Sequence, residues 1–352
     1  MECLVKACIC EMRQRVLLIK LTSLGDLIHA LPALTDAKRA CPEITFDWVI
    51  DEQFQEIAKW HPAIHRVWTT NHRNWRHTLM HPGTIRAIRE LVRLLRKEKY
   101  DLVIDGQGNF KTALLSTSIG GMNAGFDRHS VREWVAHLAY KKRYSASKEA
   151  HAIERLRRLF ASALHYPLPL SSPDFQIQRD AFVKPSYALP EKYLVFVHNA
   201  SWVTKLWPMR HWSALISHAA QLGYPILLPW GNAAEKTRAE LLARESFVHV
   251  LPQVSLSEMG YVLAGARACI CMDTGLSHLV AALHVPAVTL YGATDSGLVG
   301  ASGKEQIHVT SRVACAPCHK KTCSYGKGEN PCLAEISPER VFDELVHLLT
   351  HM

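Results

Sequence analysis

The segment Ala268-Cys-Ile-Cys-Met-Asp-Thr-Gly-Leu-Ser-His278 decides the class of fold. Its first five residues form the short apolar run of a strand that is buried on both faces. Asp273 or Thr274 can begin a helix, and Gly275 lets a ligand approach the backbone closely. The free N–H groups at the start of such a helix attract anions. Two interpretations stand: the turn only caps the helix, or it binds an anion at the edge of a parallel α/β sheet.

Similar strands and helices alternate along the rest of the chain. We predict strands over residues 15–21, 45–50, 100–105, 193–197, 225–228, 268–272 and 285–290. We predict helices over residues 84–97, 151–164, 209–222, 233–245, 256–264, 276–284 and 338–349, and a further helical stretch between residues 26 and 40. This alternation is typical of parallel sheets with helices on both faces.

The length of 352 residues suggests two domains, at roughly 150 residues each. Five prolines between residues 166 and 190 interrupt the alternation, and proline favours extended chain. We therefore predict a first domain over residues 1–170, a linker over 171–190 and a second domain over 191–352. The final helix is a candidate to pack back on the first domain.

Composition and charge exclude several classes of protein. With 48% hydrophobic and 21% charged residues, the chain is typical of soluble globular proteins. It contains no apolar run of membrane-spanning length and no signal peptide, so we expect a protein of the reducing cytoplasm. Residues 1–180 carry 27 basic and 19 acidic side chains, against 14 and 13 in residues 181–352. This imbalance excludes a uniformly cationic nucleic-acid coat and predicts an anionic partner for the first half.

Polar residues follow three predicted strands of the second half. They lie in His198–Ser201 with the nearby Lys205, in Gly231–Glu235, and in Asp273–His278. Taken singly, each cluster is explained as a solvated loop or a helix start. Neither G-x-G-x-x-G nor a P-loop motif is present, which disfavours a dinucleotide. Together the clusters predict a site for a nucleotide diphosphate.

The first half has a comparable turn, Thr22-Ser-Leu-Gly-Asp26, after its first strand. Asp26 is a candidate general base, or an acidic residue that only stabilises the first turn of a helix. The segment 105–111 ends a second strand and offers Gln107 and Lys111 to the same site.

Five segments together resemble one known family. They are residues 15–38, 46–49, 198–208, 229–235 and 272–279, which occur in order. The chain is similar in them to the ADP-heptose:lipopolysaccharide heptosyltransferases of glycosyltransferase family 9. The Ser-Leu-Gly-Asp26 and Phe46-Asp-Trp-Val49 segments favour type I, and types II and III, which act on an already heptosylated core, are the alternative. A more distant alternative is a non-catalytic protein that binds anionic lipid or nucleic acid.

The resemblance implies an α/β enzyme of the GT-B class, with two Rossmann-like domains whose parallel sheets face a central cleft. It implies that heptose passes, with inversion, from ADP-L-glycero-β-D-manno-heptose to the Kdo of Kdo2-lipid A. The first domain would bind the acceptor and the second the donor, without a required cofactor. We expect a monomer at the cytoplasmic face of the inner membrane, with no nucleic-acid partner.

Roles of single residues follow from the same resemblance. Asp26 would be the catalytic base. The donor would be bound by Ser201, Lys205, Glu235, Asp273, Thr274, Gly275 and His278. Ser201 and Lys205 would hold the diphosphate, Glu235 would face the ribose, and Asp273 would bracket the sugar or orient its loop. Ala200-Ser201 stands where the family has two threonines, so we expect one weaker phosphate contact.

The acceptor carries phosphates and carboxylates, which match the basic first half. Candidate acceptor ligands are Gln107, Lys111, Arg73, Arg76, Lys142 and Arg143. The segment 132–143 combines apolar residues with a basic end. It is interpreted either as an amphipathic helix that rests on an anionic leaflet or as a helix packed on its own domain.

Four cysteines cluster near the C-terminus, at Cys315, Cys318, Cys323 and Cys332. Their spacing is compatible with a structural zinc site. Because related sequences, chiefly of type II, carry a similar tail, we expect disordered or loosely packed thiols in first place, a structural metal or a disulfide in second, and a catalytic role in last.

Overall fold

The computed structural model describes residues 13–75, 78, 81–325 and 329–351. The chain divides into two compact units, Met1–Gln178 and Arg179–Met352. The boundary falls within the segment 171–190 that the prolines mark as a linker.

The first unit is a six-stranded parallel sheet in the order β3-β2-β1-β4-β5-β6. Its strands are β1 (Arg15–Ile19), β2 (Thr45–Asp51), β3 (Ile64–Thr70), β4 (Leu102–Asp105), β5 (Asn123–Phe126) and β6 (Lys142–Tyr144). Its α-helices are α1 (Leu24–Ile28), α2 (Leu31–Ala40), α3 (Gln55–Lys59), α4 (His72–Trp75), α5 (Pro82–Lys97), α6 (Phe110–Ile119) and α7 (Ala152–Leu164). Short 3₁₀ helices cover Glu52–Phe54 and Trp134–Ala139.

The second unit repeats this layout, with the sheet order β12-β11-β10-β7-β8-β9 and all strands parallel. Its strands are β7 (Leu194–Val197), β8 (Ile226–Leu228), β9 (Val248–Val250), β10 (Ala268–Met272), β11 (Ala287–Tyr291) and β12 (Gln306–Thr310). Its α-helices are α8 (Met209–Ala219), α9 (Ala233–Leu242), α10 (Leu256–Ala264), α11 (Gly275–Ala282), α12 (Ser296–Val299), α13 (Pro331–Ala334) and α14 (Pro338–Thr350). Short 3₁₀ helices cover Arg179–Ala181, Val203–Lys205 and Ala220–Leu222. Both sheets thus have the Rossmann order 3-2-1-4-5-6.

Each sheet is buried between helices, which explains the continuous apolar strands. Leu17 and Val103 of the first sheet pack against Leu91 and Leu95 of α5. In the second unit, Ile270 belongs to a core cluster that also contains residues of α8 and α14. These cores confirm the prediction of two Rossmann-like α/β domains with parallel sheets.

Two local predictions need correction, and the packing of the final helix on the first domain stays a prediction. The stretch after Asp26 is two helices, because α1 ends at Ile28 and Pro32 lies in the first turn of α2. Residues 132–143 do not form one amphipathic helix. Instead a 3₁₀ helix ends at Ala139, because Tyr140 turns inward to donate a hydrogen bond to Asp105 and the chain then enters β6. The final helix, α14, packs against α8, β10 and β11 of its own unit.

Candidate functional site

Polar side chains gather at two places, one in each unit, where the strand order reverses. In a 3-2-1-4-5-6 sheet, the first and fourth strands are neighbours and their connections leave in opposite directions, which opens a crevice at their carboxyl ends. In the first unit these strands are β1 and β4, followed by the turns that carry Asp26 and Gln107. In the second they are β7 and β10, followed by the turns that carry Ser201 and Asp273.

Asp273 organises the second-unit site. Its buried carboxylate forms a 2.6 Å ion pair with the ammonium of Lys205 and accepts a short hydrogen bond from the hydroxyl of Thr294. The imidazole Nε2 of His278 lies 4.0 Å from the second carboxylate oxygen. The carboxylate thereby holds two cationic or ionisable side chains at the carboxyl end of β10. Three of the predicted donor residues are brought together here.

Thr274 and Gly275 occupy the start of α11. Thr274 has the extended backbone of an N-cap residue, but its hydroxyl makes no capping hydrogen bond. Only the Ser277 side chain is engaged locally, with its hydroxyl donating to the carbonyl of Thr274. Thr274 therefore does not act as a side-chain cap, which leaves the first N–H groups of α11 available to an anion.

Glu235 stabilises the turn at the start of α9, which is one of the roles that the sequence suggested. Its backbone N–H donates to the side chain of Asn232, and its carboxylate accepts a 2.7 Å hydrogen bond from the N–H of Gly231. This reciprocal arrangement shapes the turn between β8 and α9. It places the carboxylate beside the start of α9.

A buried polar chain links the end of β7 to helix α9. The Asn199 side-chain oxygen accepts from Nε of Arg238, and its amide lies 2.7 Å from Nε2 of His198. Burial lowers the pKa of His198 to about 4, so this imidazole is neutral at physiological pH. Burial also lowers the pKa of Arg238, whose Nη2 has no hydrogen-bond partner among the described residues.

The loop between Ser201 and Lys205 carries an aromatic ring flanked by two lysines. The ammonium of Lys205 lies 4.7 Å from the ring centre of Trp202, and that of Lys321 lies 5.6 Å from it. The hydroxyl of Thr204 donates to the carbonyl of Lys320, which fixes the cysteine-containing segment against this loop. Ser201 itself is exposed. Positive charge is thus concentrated around the predicted diphosphate loop.

Asp26 lies in the first turn of α1. One carboxylate oxygen accepts from both the N–H and the hydroxyl of Ser23, at 2.9 and 3.0 Å. Below it the buried ammonium of Lys20 donates to the carbonyl of Gly106, and its charge is attracted by Asp26 and Asp105. Burial nevertheless lowers the pKa of Lys20. The acidic first-turn interpretation and the base interpretation of Asp26 are therefore compatible, since Ser23 orients the carboxylate.

Asp105 and Gln107 build the neighbouring turn. The buried carboxylate of Asp105 accepts from the hydroxyl of Tyr140 at 2.7 Å and from the N–H groups of Gln107 and Gly108. Burial raises the pKa of this carboxyl group. The side-chain oxygen of Gln107 accepts from the N–H groups of Leu21 and Thr22. Gln107 thus ties the two turns together, and its oxygen is already engaged.

The remaining predicted acceptor ligands fall into three groups. Lys111 is exposed in the first turn of α6, next to the Gln107 turn. Lys142 and Arg143 lie on the edge strand β6, three strands and roughly 14 Å from β1. The side chain of Arg73 and the whole of Arg76 lie outside the described residues. The structure therefore places Asp26, Gln107 and Lys111 together, with Lys142 and Arg143 further along the sheet.

The four cysteines are free thiols, of which Cys332 is buried and the other three are partly exposed. Cys332 is buried in the core of the second unit and has a raised pKa, caused first by burial and then by Cys315, Cys318 and Cys323. Within the described parts of the chain, no group of three or more His, Cys, Asp or Glu side chains is arranged to hold a metal ion.

Comparison of the chain with known proteins points to one family. The model of glycosyltransferase family 9, the heptosyltransferases, matches residues 88–328. The chain belongs to this family. This family 9 glycosyltransferase is similar to the lipopolysaccharide heptosyltransferase 1 of Pseudomonas aeruginosa. The two sequences are 46% identical, over 95% of this chain and 98% of that protein.

Solved structures agree with this assignment. The E. coli heptosyltransferase WaaC with ADP has a TM-score of 0.82 and 38% identity, covering 95% of this chain and 99% of that one. The same enzyme with ADP-2-deoxy-2-fluoro heptose has a TM-score of 0.81 and 37% identity, with the same coverage. The likeness confirms the predicted GT-B class of fold.

Several site residues of this glycosyltransferase were not predicted from its sequence. They are Lys20, Tyr140, Arg238, Thr294 and Lys321. Lys20 stands inside a strand-like apolar run, where a lone lysine is itself a signal of function or buried pairing. The others reach the site from distant parts of the sequence, and no local motif marks them.

Proposed function

We propose that this glycosyltransferase moves L-glycero-D-manno-heptose from ADP-heptose to the Kdo of Kdo2-lipid A, with inversion, in assembly of the lipopolysaccharide inner core. The observation that carries the proposal is the 46% identity, over 95% of the chain, to a protein named lipopolysaccharide heptosyltransferase 1. The likeness to a heptosyltransferase that has been solved with an ADP-heptose analogue supports the choice of donor.

The second unit supplies the donor chemistry in this proposal. The diphosphate lies against Lys205, Ser201 and the first N–H groups of α11, with Thr274, Gly275 and His278 alongside. When the anomeric C–O bond breaks, negative charge grows on the departing ADP, and Lys205 and the helix N–H groups stabilise it. Asp273 keeps Lys205 in place, as its 2.6 Å ion pair indicates. Glu235 faces the ribose.

The first unit supplies the acceptor chemistry. Asp26 accepts the proton of the Kdo hydroxyl as its oxygen attacks the anomeric carbon from the face opposite ADP, so that configuration inverts. Ser23 orients the carboxylate through two hydrogen bonds to one oxygen. Lys111, Lys142 and Arg143 bind the phosphates and carboxylates of the acceptor, with Arg73 and Arg76 as further candidates.

The acceptor is a lipid, which gives this enzyme a place of action. No described helix is both long enough and apolar enough to cross a bilayer. We therefore propose peripheral association with the cytoplasmic face of the inner membrane, where the basic first unit meets an anionic surface.

An acceptor-selection assay tests the proposal. The protein is incubated with ADP-heptose and, separately, with Kdo2-lipid A or with its monoheptosylated product, and the products are resolved by mass spectrometry. We expect a single heptose to be added to Kdo2-lipid A only. Transfer to the heptosylated acceptor alone would assign the chain to type II or III, and transfer to neither would reject the proposed reaction.

A further inference from the structure

Four large apolar side chains are exposed on neighbouring elements of the first unit. Phe110 and Leu114 of α6 are 53% and 56% exposed, and Trp134 and Leu138 of the 3₁₀ helix Trp134–Ala139 are 67% and 61% exposed. We call these four residues the apolar patch. Exposing so many large apolar groups on adjacent elements is unfavourable in water unless another surface covers them.

Hydrogen bonds at both ends hold the two elements side by side. The carboxylate of Glu133 accepts from the N–H of Phe110 at 2.8 Å, and the hydroxyl of Thr117 donates to the carbonyl of Ala139 at 3.1 Å. Residues 110, 114 and 117 share one face of α6 because they are spaced by four and three positions. Leu114 therefore lies between the two hydrogen bonds, and all four apolar side chains are exposed on two elements that are held side by side.

The rim of the apolar patch is basic. Residues 110–143 contain six Lys and Arg residues and two Asp and Glu residues. The exposed cations are Lys111, Arg128, Arg132, Lys141, Lys142 and Arg143. One of the two carboxylates, Glu133, is already bound to the N–H of Phe110. An apolar centre with a cationic rim is complementary to a surface that is apolar inside and anionic outside.

The apolar patch adjoins the candidate acceptor site. Helix α6 begins three residues after Gln107, in the turn that the buried Asp105 carboxylate holds. That turn is bonded through Gln107 to the turn that carries Asp26. The Phe110 end of the patch therefore adjoins the end of the sheet that carries Asp26.

We propose that the apolar patch inserts into the interface of an anionic lipid bilayer, with its basic rim on the lipid phosphates. Tryptophan favours this interface, and lysine and arginine gain from anionic headgroups. The proposal deepens the function proposed above and rests on it only for the acceptor being a lipid. It explains how two short elements, neither of them a long amphipathic helix, present Asp26 to a membrane-bound sugar.

Vesicle binding tests the proposal without any donor or acceptor. The full chain is sedimented with vesicles of phosphatidylethanolamine and phosphatidylglycerol, and with vesicles of phosphatidylcholine. We expect binding to the anionic vesicles that weakens with salt, and an about tenfold or greater loss in the double variant Trp134→Ser/Leu138→Ser. Phe110→Ser/Leu114→Ser, on the other element, should lose binding similarly.

Matched controls distinguish the effect of the patch from the effect of removing any exposed leucine. Leu170→Ser and Leu241→Ser remove exposed leucines outside the patch and should bind like the wild type. Thermal unfolding of each variant checks that it is folded, and the single change Trp134→Ser replaces any double variant that is not. Equal binding of the wild type and both folded patch variants would overturn the proposal, as would failure of the wild type to bind anionic vesicles.

Two further readouts distinguish membrane insertion from self-association and from a loss of catalysis itself. A wild-type dimer that the patch substitutions dissociate, with vesicle binding unchanged, would assign the patch to a second copy of the chain. Turnover of acceptor dispersed in detergent should stay normal in the patch variants, while turnover of acceptor in vesicles falls. Because vesicle binding is measured without substrates, it can succeed even if the proposed heptose transfer fails.

Discussion

The ammonium of Lys205 lies 2.6 Å from the carboxylate of Asp273, and both side chains are largely buried. Lys205 follows the first strand of its sheet and Asp273 follows the fourth, so the ion pair joins the two turns on either side of the crevice. The carboxylate contacts one side of the lysine ammonium, and a phosphate oxygen could contact the other side. Under the proposed function, a diphosphate that enters the crevice meets a cation that Asp273 already positions.

Lys205→Ala and Thr294→Val should weaken donor binding and catalysis to different extents. Lys205→Ala removes the charge that faces the leaving diphosphate, and we expect kcat/KM to fall about 100-fold or more. Thr294→Val removes only one hydrogen bond to Asp273, so we expect a loss below about tenfold. Steady-state kinetics and calorimetric titration with ADP measure both. Normal ADP affinity and turnover in Lys205→Ala would contradict the assigned role.

Asp26→Asn should abolish most of the chemistry while leaving the donor bound. An amide cannot accept the acceptor proton, and general base catalysis contributes about 10²–10⁴-fold. Ser23→Ala keeps the carboxylate and the backbone hydrogen bond but removes one orienting hydroxyl, so its loss should be much smaller. Single-turnover rates with saturating ADP-heptose separate the two variants. Near-normal turnover of Asp26→Asn would exclude this residue as the base.

Gly125→Ala should disturb, through Tyr140, the turn that carries Asp105 and Gln107. A Cβ at residue 125 would overlap the ring of Tyr140, whose hydroxyl donates to the buried Asp105 carboxylate. We expect a loss of about 1–3 kcal/mol in the free energy of unfolding, because the ring must move. Urea denaturation measures it, and Tyr140→Phe, which removes the hydrogen bond to Asp105 without a clash, is the comparison. An unchanged free energy of unfolding in Gly125→Ala would show that the ring relocates freely.

The buried ion pair between Arg157 and Asp36 should be essential to the first unit. Arg157 Nε and Nη2 donate to the two oxygens of Asp36 at 2.6 and 3.3 Å, joining α7 to α2. Arg157→Leu leaves the carboxylate buried and unpaired, which costs about 3–5 kcal/mol. The matched control is its neighbour Arg158→Leu, whose pair with Glu154 is exposed and contributes about 0.5 kcal/mol or less. Similar losses in both variants would contradict the burial argument.

His61 should make the protein acid-sensitive. Its Nδ1 accepts from the N–H of Ala63, so Nε2 carries the proton toward the hydroxyl oxygen of Thr35. Burial lowers its pKa to about 4, below the ordinary value of 6.5. Between these values the unfolded chain binds the proton and the native protein does not, so stability falls as pH drops through this window.

The size of this effect follows from the shift, at about 3 kcal/mol for His61. His198, also lowered to about 4, adds to it. Urea denaturation between about pH 7 and about pH 4.5 should show a shallower pH dependence for His61→Gln than for the wild type. Equal pH dependence in the two proteins would mean that folding does not lower the pKa of His61.

The strands and turns that pattern alone could predict are those in the middle of the sheets. The predicted strand 268–272 coincides with β10, because a continuous apolar run of this length has one compatible environment. The four edge strands β3, β6, β9 and β12 were missed, since they are partly exposed and carry polar residues. The interior strand β5, which has four residues and contains Asn123 and Gly125, was missed as well. Their pairing depends on a neighbouring strand that no local sequence specifies.

The candidate site divides along the same line. Asp26, Lys205 and Asp273 were predicted because turns after buried strands meet at one sheet edge. Thr294 was not predicted, because it lies 21 residues from Asp273 in the sequence and only the tertiary fold brings the two side chains together. The failed helix over 132–143 has the same cause, since its apolar residues gave no sign that Tyr140 is drawn inward to Asp105.

The shared 3-2-1-4-5-6 order of the two sheets has a consequence for engineering. The cluster around Asp273 and the cluster around Asp26 are each assembled within a single unit, and the boundary between Gln178 and Arg179 separates them in the sequence. Under the proposed function, the residues that select the sugar nucleotide and those that select the acceptor lie in separate, contiguous halves of the chain. Chimeras joined at that boundary are a direct route to family 9 enzymes that pair one member's donor with another member's acceptor.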